Sequence, residues 1–112
     1  MKSEKILITG ALGQLGTVLT NELQKKYGIN SVVATDLRPN FDFNGVFETL
    51  DVTNFKAIKE CVIKHNVTQI YHLAAILSAN GEKDPLKTWD INMSTLFNVL
   101  EVSRLCNINK IF

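Results

Sequence analysis

Five short segments of the chain have the residue pattern of β-strands. The first, Ile6–Ile8, is continuously apolar and ends at Thr9-Gly10, which is typical of a strand buried on both faces of a parallel sheet. The other four predicted strands cover residues 31–35, 46–50, 69–73 and 108–112. Turn-forming residues dominate 37–45, which we expect to be a loop.

Three segments between these strands repeat their apolar residues at the spacing of an amphipathic helix. The first predicted helix runs from Gln14 to Tyr27, and its apolar face consists of Leu15, Val18, Leu19 and Leu23. The second is capped by Thr53 or Asn54, is closed by His65, and has an apolar face of Phe55, Ile58, Val62 and Ile63.

The third and longest predicted helix begins at the capping pair Asp84-Pro85 and ends near Cys106. Its residues 86–106 are apolar on more than one face, so both faces are expected to be covered in the whole protein. Two coverings are possible. One is a further part of the same polypeptide, and the other is a second copy of the chain in a homodimer. Either way the helix of this chain is expected to leave an apolar patch exposed.

The alternation of strands and helices predicts an α/β fold, a Rossmann-type doubly wound parallel sheet with right-handed crossovers. The chain stops inside the pattern of its fifth strand. We therefore expect residues 1–112 to be the N-terminal portion of a dinucleotide-binding domain, with the catalytic and substrate-binding part beyond them.

Three glycines, Gly10, Gly13 and Gly16, join the first strand to the first helix. In such a loop the first glycine permits a tight turn, the second lets the backbone approach a pyrophosphate, and the third lets the helix pack closely on the sheet. The helix start, at Gln14 and Leu15, supplies unpaired N–H groups for the anion. A Walker-type loop is excluded because no Gly-Lys-Ser/Thr follows.

Asp36 ends the second strand and selects the expected cofactor. A carboxylate at that point accepts hydrogen bonds from the adenosine ribose and repels a 2′-phosphate, which favours NAD over NADP. Arg38, beyond Leu37, leaves an alternative open because a nearby arginine can accommodate that phosphate; it can also pair with Asp36 or pack on the adenine.

The small residues Leu73-Ala74-Ala75 end the fourth strand, where ligands of open α/β sheets bind. They leave room for the ribose next to the nicotinamide, although tight packing alone is an alternative explanation. His72 is interpreted as a packed strand histidine and not as a catalyst.

With these residues placed, the chain resembles the extended short-chain dehydrogenases, the epimerase/dehydratase family. The shared features are the three-and-three glycine spacing of Thr9–Gly16 together with Asp36, Asp51, His72–Ala75 and Asn92. The resemblance implies that Asp51 meets the adenine amino group and that Val52 lends a backbone amide. A carboxylate stabilised near a helix N-terminus is the alternative for Asp51.

A narrower resemblance, to the short-chain type of L-threonine 3-dehydrogenase, rests on residues 72–79, 81–85 and 89–93. It implies oxidation of a threonine-like substrate with hydride transfer to NAD, and it puts Ser78 at the substrate site. A loop-capping serine is equally compatible with Ser78. Two other hypotheses stay open: a nucleotide-sugar epimerase or dehydratase, and a non-catalytic dinucleotide-sensing module.

In the family, a Tyr-x-x-x-Lys helix supplies the general base. The two tyrosines of this chain, Tyr27 and Tyr71, are followed four residues later by Ser31 and Ala75. No catalytic residue is therefore assigned within residues 1–112, and the chain alone is expected to be inactive.

Composition and charge limit the kinds of partner that we expect this chain to bind. The formal net charge is +1, so no basic excess indicates nucleic acid, and no apolar run is long enough for a membrane span or a signal peptide. The two cysteines, Cys61 and Cys106, lack the spacing of a zinc site and are expected to be reduced thiols in a cytoplasmic protein. No metal ion is predicted.

Overall fold

The computed structural model describes residues 4–74 and 84–112. Two of the predicted site residues, Ala75 and Ser78, lie outside these ranges. The strands are β1 Ile6–Thr9, β2 Val32–Asp36, β3 Val46–Thr49, β4 Gln69–His72 and β5 Lys110–Ile111. The helices are α1 Gln14–Tyr27, α2 Phe55–His65 and α3 Pro85–Cys106, and a 3₁₀ turn covers Ile29–Ser31.

All five strands form one parallel sheet in the order β3-β2-β1-β4-β5. This arrangement confirms the predicted Rossmann-type fold. The chain moves outward from β1 to β3 and then returns to the other side of β1 for β4. In open α/β sheets the reversal of strand order opens a crevice at the carboxyl ends of the two strands beside it. Here those strand ends are Thr9 of β1 and His72 of β4.

The sheet separates two apolar layers. On one face, Ile6, Ile8, Val32 and Ala34 pack with Leu23 of α1. On the other, Leu7, Val33 and Ile70 pack with residues of α2 and α3, namely Ile58, Cys61, Val62, Val99 and Val102. Alternate residues of β1 thus pack in opposite layers, which explains why the strand is continuously apolar from Ile6 to Ile8.

The predicted apolar faces of α1 and α2 are wrong in part. Leu15 and Val18 of α1 are exposed, and the buried side of that helix carries Gly16, Thr20 and Leu23. The physical reason is that Gly16 lies directly against the loop backbone, so the helix approaches the sheet along the line of its smallest residue. In α2 the buried side runs through Ile58, Cys61 and Val62, and Ile63 points to solvent.

Helix ends follow the predicted chemistry closely. The side chain of Asn54 accepts a hydrogen bond from Ala57 N and that of Asp84 accepts one from Lys87 N, so each caps its helix. Asn54, rather than Thr53, is the cap of α2. Asn107, with φ 56°, ends α3 in the left-handed region, as expected of an asparagine after a helix.

Candidate functional site

The glycine-rich loop leaves β1 directly against the end of β4. Gly10 has φ +68°, and a Cβ there would lie 2.8 Å from Ala74 N and 2.8 Å from the carbonyl carbon of Leu73. A side chain at position 10 would therefore collide with the backbone of Leu73 and Ala74, and the positive φ would strain the backbone of the substituted residue. The loop and the end of β4 meet here without any side chain between them.

The other two glycines differ in what surrounds them. A Cβ on Gly16 would lie 2.2 Å from Gly10 O, so the turn requires glycine there for packing alone. Gly13 has an ordinary φ of −74°, and its Cβ would meet only Gly10 O at 3.5 Å. Nothing inside the described chain requires Gly13 to lack a side chain. The bare backbone there fits a ligand that approaches closely from outside, which is the role predicted for this residue.

The start of α1 is open to an anion. No side chain caps the helix, and its first turn contains no acidic residue. The first N–H groups of an α-helix have no partner within the helix, so those of Gln14, Leu15 and Gly16 are available to a pyrophosphate. Leu15 is exposed at this end of the helix.

Asp36 is hydrogen-bonded to the glycine-rich loop as well as to its own turn. Its Oδ2 accepts from Leu12 N at 3.0 Å, and its Oδ1 accepts from Arg38 N at 3.0 Å and Arg38 Nε at 3.3 Å. Burial acts to raise the pKa of this carboxyl, but the backbone hydrogen bonds from Arg38 and Leu12 and the Arg38 side chain outweigh it and lower the pKa. Asp36 is therefore a fixed negative charge beside the phosphate loop. Leu37 and Arg38 are exposed at the rim.

The sequence left several roles possible for Arg38. In the structure its guanidinium pairs with the carboxylate of Asp36. The Arg38 side chain is 67% exposed, so it can leave this pair without unfolding anything. A second contact, from Ala11 N to Thr35 O at 2.9 Å, joins the loop to β2 beside the Leu12–Asp36 bond.

Asp51 forms a local turn before α2. Its carboxylate accepts from Thr53 N at 3.0 Å and from Thr53 Oγ1 at 2.7 Å, and these bonds lower its pKa. The amide of Asn98 on α3 donates to Val52 O at 3.0 Å and so ties this turn to the long helix. The sequence analysis did not single out Asn98, because no motif marks it. A contact of Asp51 or Val52 with adenine stays a prediction.

The end of β4 is held by hydrogen bonds from Leu73 and Ala74 to Thr9. His72 bridges two threonines: its Nδ1 lies 2.8 Å from Thr9 Oγ1 and its Nε2 lies 3.4 Å from Thr95 Oγ1. Burial lowers the pKa of His72. This environment is that of a packed, neutral histidine.

Away from the loop, the described residues include one group with metal-binding side chains, Glu48, Cys61 and His65, whose ligand atoms lie within 4.8 Å of one another. The carboxylate of Glu48 already pairs with His65 and with the ammonium of Lys64. Burial, reinforced by the charge of Glu48, raises the pKa of the Cys61 thiol to about 12. Charge pairing and burial account for this group without a metal ion.

Fold and site together define a Rossmann-type domain whose glycine-rich loop has the spacing of the short-chain dehydrogenases. The model of the NAD dependent epimerase/dehydratase family matches residues 6–112. The chain therefore belongs to the NAD dependent epimerase/dehydratase family. The cofactor of that family agrees with the one predicted from the sequence.

Among curated proteins, an uncharacterized epimerase/dehydratase of Staphylococcus haemolyticus is 49% identical over 105 residues, which are 90% of this chain and 33% of the relative. One from Staphylococcus aureus is 46% identical over 110 residues, 95% of this chain and 34% of the relative. The chain spans about a third of the length of these relatives.

Solved structures of similar proteins have the same fold. The GalE-like L-threonine dehydrogenase of Cupriavidus necator, in its holo form, has a TM-score of 0.91 and 40% identity, covering 96% of this chain and 35% of that one. The L-threonine dehydrogenase of Clostridium difficile has a TM-score of 0.88 and 40% identity, covering 98% and 36%. A UDP-glucose 4-epimerase of Thermus thermophilus, in complex with NAD, shares the fold at a TM-score of 0.83 and 20% identity, covering 96% and 36%.

Among the residues that the structure describes, no helix is both long enough and apolar enough to cross a bilayer.

Proposed function

We propose that this chain binds NAD in the crevice at the carboxyl ends of β1, β2 and β4. The observation that carries the proposal is the open space at Gly13, a residue that has no internal need to be glycine. The uncapped start of α1 points its N–H groups into the same space, which suits a pyrophosphate.

Asp36 gives the proposed site its preference for NAD over NADP. Its carboxylate is ionised and hydrogen-bonded to Leu12 of the loop, which supports a role in accepting hydrogen bonds from an adenosine ribose next to the pyrophosphate. A 2′-phosphate would bring a second negative charge against it. Arg38 offsets part of that repulsion, and the Asp36 charge is expected to dominate because that residue is buried and fixed.

Titration calorimetry of the chain with NADH and NADPH tests this preference. We expect NADH to bind more tightly than NADPH. Asp36→Ala is expected to weaken NADH binding by roughly tenfold to a hundredfold, the effect of removing a charged hydrogen bond. Asp42→Ala is the matched control, because it removes one exposed carboxylate from the loop that follows. Equal or reversed affinities for the two cofactors would contradict the assignment.

For the whole protein we propose L-threonine 3-dehydrogenase-like chemistry. The support is that the threonine dehydrogenase structures match at 40% identity, whereas the UDP-glucose epimerase match, at 20%, speaks for the fold alone. NAD, when bound, would accept the hydride that leaves the hydroxyl-bearing carbon of the substrate, while the hydroxyl loses its proton. The residues of this chain contribute binding: the loop from Gly10 to Gly16 orients the pyrophosphate, Asp36 the ribose, and Ser78 is proposed for the substrate.

This substrate assignment has a direct test in the complete coding sequence. We expect a Tyr-x-x-x-Lys segment there, and expect the complete protein to reduce NAD with L-threonine and to leave UDP-glucose unchanged. The absence of that segment would favour the dinucleotide-sensing alternative. Epimerisation of the sugar nucleotide would favour the epimerase alternative.

We also propose that α3 forms the interface of a homodimer. The support is a stripe of exposed apolar side chains on the helix face opposite to the sheet, comprising Leu86, Trp89, Phe97 and Leu100. Stripes of this kind are rarely left in water.

A further inference from the structure

The hydroxyl of Thr9 occupies the joint between the ends of β1 and β4. It accepts hydrogen bonds from Leu73 N at 3.0 Å and from Ala74 N at 3.1 Å. A threonine hydroxyl has two acceptor lone pairs and one hydrogen to donate. Leu73 N also donates to the backbone Thr9 O at 3.1 Å, but both backbone donors reach the hydroxyl oxygen, so the hydroxyl hydrogen of Thr9 is directed to a third partner.

That third partner is His72, whose Nδ1 lies 2.8 Å from Thr9 Oγ1. Nδ1 must accept the hydrogen, so it is unprotonated and the ring carries its proton on Nε2. Nε2 lies 3.4 Å from Thr95 Oγ1, and Thr95 Oγ1 in turn donates to Asn92 O at 2.9 Å. The donors in these three hydrogen bonds are therefore assigned. Thr9 donates to Nδ1 of His72, Nε2 of His72 donates to Thr95, and Thr95 donates to Asn92 O.

We propose that His72 is a positioning residue for the bound cofactor: its Nδ1 holds the Thr9 hydroxyl in the orientation that fixes the end of β4 against the glycine-rich loop. The proposal rests on the proposed binding of NAD. His72 itself does not contact the cofactor in this account and acts only through Thr9.

The joint matters because a dinucleotide would span it. The loop from Gly10 to Gly16 is proposed to hold the pyrophosphate, and Leu73 and Ala74 line the space expected for the ribose beside the nicotinamide. Gly10 and Ala74 are so close that a single added Cβ would lie 2.8 Å from Ala74 N. A small displacement of the end of β4 would therefore change the space for the nicotinamide half while leaving Asp36 and the adenosine half unaffected.

Two conservative variants separate this role from general packing. His72→Asn keeps a possible acceptor close to the position of Nδ1, whereas His72→Gln reaches only the position of Nε2, toward Thr95. We expect His72→Gln to weaken NADH binding about five- to tenfold, the effect of one lost part-buried hydrogen bond, and His72→Asn to change it by less than about twofold. AMP, which contains only the adenosine half, is expected to bind equally to both variants and to the unsubstituted chain.

The second measurement needs no variant. Long-range ¹H–¹⁵N correlation spectra of the unsubstituted chain at neutral pH report which imidazole nitrogen carries the proton. We expect His72 to be neutral with its proton on Nε2. A proton on Nδ1, or a charged ring, would overturn the proposal whatever the variants do.

The binding results also distinguish this proposal from the one that it rests on. If the unsubstituted chain binds no NADH, the proposed function fails, and the spectra still decide the hydrogen-bond order. If it binds NADH but the Asn and Gln variants are equal, or if His72→Gln weakens AMP as much as NADH, the positioning role is wrong while the cofactor site stands.

Discussion

At the scale of single residues, the ends of the central strands carry polar side chains whose charge states follow from their surroundings. Asp36 is buried and yet ionised because three hydrogen bonds, two from backbone N–H groups, reach its carboxylate. His72 is half-buried between two threonines, and this burial favours its neutral form. The two residues therefore respond to pH in different ranges.

Stability is expected to fall when the pH drops below about 6.5, the ordinary pKa of histidine, and His72 contributes to that fall. Its pKa is lowered in the folded chain, so between the folded and the unfolded pKa the unfolded state binds more protons. Its contribution is complete above the unfolded pKa and is lost progressively toward the lowered folded pKa. Urea unfolding between pH 5.5 and 7.5, for the chain and for His72→Asn, measures it. Identical pH slopes for the two proteins would show that His72 makes no such contribution.

Residue patterns predicted the positions of residues whose placement depends on the local course of the chain. Gly10, at φ +68°, and Asp36, at the end of β2, are both where the motif requires them. The links that cross between elements, such as Thr9 with His72 and Asn98 with Val52, could not be predicted. Those contacts join residues 63 and 46 positions apart, and they depend on how the strands and helices pack rather than on any local spacing.

At the scale of elements, the predicted helices agree with the structure, but the faces that they bury do not fully agree. In α1 the apolar pattern pointed to Leu15 and Val18, whereas the helix turns its small residues Gly16 and Thr20 inward. Apolar periodicity favours large side chains and cannot detect a helix that packs through its glycine. The close contact of Gly16 with the loop decided the orientation of α1.

Gly16→Ala is expected to destabilise the chain by at least about 2 kcal/mol, because the added Cβ would meet backbone atoms that cannot move independently. Gly13→Ala is the matched control in the same loop. Its Cβ would enter open space, so its cost is expected to stay below about 1 kcal/mol, the loss on replacing a glycine N-cap. Thermal unfolding followed by circular dichroism compares the two. Equal losses would contradict the packing assigned to Gly16.

At the scale of the whole molecule, one side of α3 is covered by the sheet and the opposite side is exposed in the described part of the chain. Val99 and Val102 are fully buried against the sheet, whereas Trp89 is 62% exposed and Phe97 is 60% exposed on the opposite face. The sequence pattern predicted that this long helix would need covering on two sides. It could not say which element covers the second side, because apolar periodicity does not identify a partner.

The chain is expected to self-associate through this stripe, with Phe97→Glu weakening association because it places a charge in the apolar face. Ser94→Glu adds the same charge at an exposed position of α3, about a quarter turn around the helix from the centre of the stripe, and serves as the control. Sedimentation velocity over a range of concentrations measures both. A chain that stays monomeric at high concentration would show that another part of the protein, and not a second copy, covers α3.

The central claim, that the loop at Gly13 holds NAD, is tested most directly by titrating NADH into the unsubstituted chain and into Gly13→Val, followed by the fluorescence of the nicotinamide. The unsubstituted chain is expected to bind saturably. Gly13→Val is expected to bind at least about tenfold more weakly while its melting temperature falls by only about 5 °C or less, because its side chain fills the space kept for the pyrophosphate while touching little of the protein. Equal NADH affinity in the two proteins would contradict the account, as would the absence of binding to the unsubstituted chain.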